Sequence, residues 1–116
     1  MTASTEEPVV RATRMDERLA TAKGISRVVV REIRMQPNVT AGLHVHNGPV
    51  FGNVVQGSAI YQIEGAEQRV LRVGDVFYEP EGARIARFDA LEEGVIFFGH
   101  FLLSDGQDDE MTRLTD

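Results

Sequence analysis

The chain has 116 residues, 42% of them apolar and none of them cysteine, so it can close one compact core but offers no disulfide, thiolate ligand or cysteine nucleophile. Any metal must rest on imidazole and carboxylate, which excludes a zinc ribbon or an iron–sulfur cluster. The net charge of −6 comes from the ends: residues 1–8 carry Glu6 and Glu7 without a base, residues 105–116 carry Asp105, Asp108, Asp109, Glu110 and Asp116 against Arg113, and the body between holds 11 acids and 11 bases.

A neutral body lacks the footprint that displaces counterions from phosphates, so no nucleic-acid partner is expected, and the arginines between Arg11 and Arg34 read as a solvated or interface surface. Met1 to Pro8 has neither the positive start nor the apolar stretch of a secretory signal, and no apolar run approaches membrane-spanning length. The expectation is a cytoplasmic protein with no membrane partner. No phosphate loop or nucleotide fingerprint is present, so no nucleotide cofactor is expected.

In chain order, residues 1–24 read as a tail and arm, with residues 10–23 forming a short helix or an irregular segment before Gly24. A strand is predicted from Ser26 to Met35, with Val29, Ile33 and Met35 on one period-2 face, ended by Pro37-Asn38. Ala41 to His46 alternates again, placing Leu43 and Val45 on one face and Gly42, His44 and His46 on the other, before Asn47-Gly48-Pro49 breaks the pattern. Further strands are predicted at Val50–Gln56, closed by Gly57, then Ser58–Ile63, Gln68–Val73 and Val76–Glu79, cut by Pro80 and Gly82. The last two are Arg84–Phe88 and Gly94–Leu103, joined through Asp89 to Glu93. Short strands with a turn signal every 8–12 residues or so indicate an all-β sandwich or barrel over residues 25–104. The acidic, glycine-containing segment 105–116 reads as a disordered tail.

Two stretches, Gly42-Leu43-His44-Val45-His46 and Gly74 to Gly82, resemble the two motifs of the cupin superfamily. In the first motif a His-x-His is followed by a glutamate four residues on and a glycine seven after that. His44, His46 and Gly57 fall in place, but Val50 stands at the glutamate position. In the second motif Gly74, Pro80 and Gly82 match with correct spacing, while Ile85 replaces a histidine and Asp89 an asparagine. The resemblance spans about Val28 to Leu103 and implies a double-stranded β-helix, or jelly-roll-like barrel, with degraded metal motifs. It also implies a homodimer, and the arm from Val9 to Lys23 is expected to reach across to a second barrel.

The family's common site gives three imidazoles and one carboxylate to a divalent ion, and neither Val50 nor Ile85 can coordinate. His44 and His46, two apart on a strand, leave the same face and can converge on one zinc, nickel, copper or iron ion. His100, in the apolar final strand beside the one carrying Val50 in the resembled fold, is a replacement ligand or a hydrogen-bonded structural residue. Glu79, Gln56, Gln62 and Asp89 are further candidate ligands, Glu79 and Gln56 having inward parity on regular strands. Phe51, Gln56, Tyr61, Phe77 and Glu79 are expected at a substrate pocket, with Phe88, Phe97 and Phe98 as further candidates for its apolar lining.

Three readings stay open. The first is a metal-dependent cupin acting on a small organic molecule as a dioxygenase, isomerase, cyclase or lyase. The second is a metal-free cyclase or isomerase using His44 or His46 as general acid/base beside Tyr61 or Glu79. The third is a non-enzymatic small-molecule binding module.

Overall fold

The computed structural model describes residues 7–115 and is built from strands: β1 (Arg27–Met35), β2 (His44–His46), β3 (Val50–Ile63), β4 (Arg69–Arg72), β5 (Val76–Glu79), β6 (Ile85–Leu103) and β7 (Met111–Arg113). No helix occurs among the described residues, so the segment before β1 is the irregular arm and not the helix. Residues 1–6 of the expected arm, and residue 116 of the expected tail, lie outside the described residues. All pairings are antiparallel, in the order β4-β3-β6-β2-β7, with β1 alongside β6 and β5 alongside β3.

Two pairs of expected strands are continuous. Val50–Gln56 and Ser58–Ile63 form the 14-residue β3, and Arg84–Phe88 runs on into Gly94–Leu103 as the 19-residue β6. The break that Gly57 signals is a bend within β3, where the β3–β6 register shifts on either side of it. Gly57 and Gly94 both have φ of +74°, and a Cβ on Gly57 would stand 2.1 Å from the Gly94 carbonyl oxygen. Only glycine combines that dihedral with that approach. The bend lets each long strand serve two layers. β6 pairs with β2 and the second half of β3 through Ile85–Ala90, then with β1 and the first half of β3 through Val95–Leu103. The result is the expected all-β, jelly-roll-like barrel.

Side-chain alternation sorts the two faces. Inward go Val50 and Val54 of β3, Phe77 and Glu79 of β5, and Phe97, Phe101 and Leu103 of β6, all buried. Phe77, Phe88 and Phe97 meet with ring centroids 4.6–5.7 Å apart in tilted and edge geometries, each such pair adding about 0.5–1.5 kcal/mol beyond the area it buries. Gly52 makes room for this cluster, because a Cβ there would lie 2.1 Å from the tip of the Phe77 ring.

The C-terminal end differs from expectation, and the arm makes contacts within its own chain. The arm packs on its own barrel, with Arg14 donating to the Gly74 carbonyl and Lys23 paired with Glu81. The tail is ordered, at least through β7, which pairs with β2. Its acidic composition argued for disorder, but the acids find bases on β1: Arg27 reaches Asp108 at 2.8 Å and Arg31 reaches Asp109 at 2.7 Å. Asn47 adds side-chain hydrogen bonds to the Asp108 carbonyl and the Glu110 N–H.

Candidate metal centre

β2 is held in place from three sides. His44 lies opposite Ile85 of β6, His46 lies opposite Met111 of β7, and the Gly82 N–H donates to the His46 carbonyl. The alternation that puts His44 and His46 on one face aims both rings into the barrel, where Glu79 meets them from β5. His44 and Glu79 are 2% and 4% exposed, so the carboxylate is withdrawn from water and must be satisfied by its neighbours. His46 Nε2 stands 2.6 Å from Glu79 Oε2, and His44 Nε2 stands 3.9 Å from Glu79 Oε1.

The His44 ring is fixed by its other nitrogen. Nδ1 lies 2.7 Å from the Gly42 carbonyl oxygen, which only accepts, so Nδ1 carries the proton and Nε2 presents a lone pair inward. His46 differs: its Nδ1 is buried with no hydrogen-bond partner, leaving the Glu79 carboxylate as the ring's polar contact. The ligand atoms of the three residues lie within 4.8 Å of one another. The 3.9 Å separation of His44 from Glu79 is too long for a hydrogen bond, but it suits ligands flanking an ion bound at about 2.0–2.2 Å. Two imidazoles and one carboxylate form a set known to hold iron or zinc with coordination positions left open, so the residues present fit a divalent ion.

Beside these groups lies a cavity of about 130 Å³, walled by residues that include Ile33, Met35, Phe77, Phe88, Phe97, Phe101 and Met111. Of the sequence candidates, Phe77, Phe88 and Phe97 line it, and Glu79 joins the histidines. The others lie elsewhere. His100 sits in β6 one residue from the inward Phe101, hence on the opposite face, with Nδ1 2.9 Å from the Phe51 carbonyl. The placement of His100 as a ligand is therefore corrected: the strands are neighbours as expected, but its parity points it outward.

Phe51 also faces out, stacked on Tyr78 at 4.6 Å, and Phe98 shares its outward parity on β6, opposite Asn53. Gln56 is exposed at the bend, Gln62 bonds the Ala66 carbonyl, and Asp89 pairs with Arg87. Tyr61 is buried against Phe77 and Phe88 and donates its hydroxyl to the Tyr78 carbonyl. Burial, reinforced by the nearby Glu79 charge, pushes that hydroxyl well above its ordinary pKa. Phe101 and Met111 were missed as wall residues. Phe101 follows from parity once β6 is known to be continuous, whereas nothing in the sequence signals Met111.

Residues 31–85 match the cupin domain family. No curated protein matches the chain by sequence. Among solved structures, the DMSP lyase DddQ from Ruegeria pomeroyi superposes with a TM-score of 0.64 at 16% identity, over 72% of this chain and 42% of that one. An oxalate oxidase bound to the substrate analogue glycolate gives 0.62 at 22% identity, over 73% and 45%. A cupin-like protein from Thermotoga maritima gives 0.60 at 22% identity, over 74% and 65%. The chain thus spans less than half the length of the lyase and oxidase chains, and what it shares with all three at these identities is the fold. With the motif glycines and the His-x-His pair set in that barrel, the chain carries a cupin-domain match over residues 31–85 and a cupin-like fold.

Proposed function

We propose that His44, His46 and Glu79 hold one divalent metal ion and that the protein is a metal-dependent cupin acting on a small organic molecule. The observation that carries this reading is the convergence of two imidazoles and a buried carboxylate, from two separate strands, at the edge of an apolar cavity. When bound, the ion supplies Lewis acidity or a centre for oxygen chemistry. The Gly42 carbonyl keeps the His44 tautomer that presents Nε2. Glu79 contributes the anionic ligand, and the phenylalanine walls exclude water and raise the strength of every charge interaction inside. Purification without an affinity tag followed by elemental analysis tests this, with near-stoichiometric metal expected.

A second reading rests on the 2.6 Å contact between His46 and Glu79. A carboxylate at that distance orients an imidazole for proton transfer, as a general acid/base needs. In that case chelator leaves activity intact. Tyr61 takes no part, because its hydroxyl is committed to the Tyr78 carbonyl.

A homodimer is also proposed, supported by the edge strand β1 with Val28 and Val30 each 54% exposed. Light scattering at twice the chain mass of 12.9 kDa is expected, and a monomer contradicts it.

A further inference from the structure

We propose that the molecule taken at this site is small and largely apolar, carries a single head group for the ion with at most one negative charge, and is not a dianion. This rests on the metal reading above and deepens it to a ligand class.

Size comes first. The cavity of about 130 Å³ is slightly smaller than the roughly 150 Å³ apolar cavity that takes up benzene, so the part of the ligand held inside is about benzene-sized or less. Composition comes second. Among the described residues the polar side chains on its wall are His44, His46 and Glu79, and all three are directed at the ion position. Among the described residues the wall carries no lysine, arginine, amide or hydroxyl side chain to grip a second polar group. A ligand with polar groups at both ends would leave one of them buried without a partner.

Charge comes third. A divalent ion with the Glu79 carboxylate leaves one net positive charge, which a single anionic head, such as an ionised hydroxyl, thiol or carboxyl, cancels. A dianion overcompensates that charge and leaves one net negative charge at a site walled by Phe77, Phe97 and Phe101. Oxalate-like ligands are therefore disfavoured at this site, although the barrel resembles that of an oxalate oxidase.

Two titrations test this on the full chain. In metal-free protein, benzene is expected to shift the methyl resonances of Ile33, Met35 and Val50 saturably. In zinc-loaded protein, phenol is expected to saturate at a concentration at least about tenfold below oxalate, the factor that one uncompensated charge readily accounts for. Met111, 45% exposed at the rim, allows a cation to be added without burying it: Met111→Lys is expected to improve oxalate binding about tenfold. Oxalate binding to the zinc protein more tightly than phenol, or benzene failing to reach the cavity methyls, overturns the proposal. Benzene filling the cavity of a protein that retains no zinc supports the apolar ligand class and overturns the metal reading instead.

Discussion

Glu79 lies directly across the β3–β5 ladder from Val50. Val50 occupies the position where the resembled motif has its glutamate, so the carboxylate missing from β3 is supplied by the facing residue of the next strand. Directly opposed residues in an antiparallel pair stand about 4.5–5.5 Å apart, within the reach of a glutamate side chain.

That relationship predicts a transplant. Glu79→Gln keeps the shape but removes the anionic ligand, and should weaken metal binding by more than the ~100-fold that loss of an outer-shell partner costs. The double variant Val50→Glu/Glu79→Val should recover at least part of that affinity in calorimetric titration. Recovery no better than for Glu79→Gln would show that the two positions are not equivalent.

The strap formed by β7 depends on ion pairs with β1. The Arg31 guanidinium, hydrogen-bonded to Asp109, holds its carboxyl below the ordinary aspartate range. With the folded pKa below the unfolded one, the stabilisation is complete above about pH 3.9 and is lost as pH falls through the folded value. Hydrogen exchange at the Leu114 N–H, which bonds the Leu43 carbonyl, should therefore accelerate only in acid, beyond the intrinsic pH dependence of exchange. Asp109→Asn should speed it up to about fivefold at neutral pH, the range for a partly exposed pair.

Tyr61→Phe separates the hydroxyl's structural role from chemistry. It leaves the Tyr78 carbonyl without its donor and should cost about 1 kcal/mol in denaturant unfolding, with metal content and activity unchanged. A collapse of activity with retained stability would place Tyr61 in the reaction.

Gly57→Ala meets both the +74° dihedral and the Gly94 carbonyl, and should destabilise by about 2–4 kcal/mol. A near-neutral midpoint would mean that the bend is looser than the structure has it.

The sequence was most legible where alternation and turn residues agree. His44 and His46 share a face because they are two apart, and Asn47-Gly48-Pro49 ends their strand. Glu79 was one of four candidate ligands, and singling it out needs the Val50–Glu79 register, a pairing of residues 29 apart that no local pattern encodes. His100 misled because Val95 to Leu103 is apolar on both faces, so alternation there is silent about which side is inward. The tail misled for a different reason. Composition counts its acids but not the arginines of β1 that receive them.

The central claim is best tested by elemental analysis of untagged protein beside the His44→Ala/His46→Ala double variant. Close to one zinc, nickel, copper or iron ion per chain, lost in the variant while the fold persists by circular dichroism, is the predicted result. Wild-type protein that carries no metal, and takes up none when those ions are supplied, would contradict it.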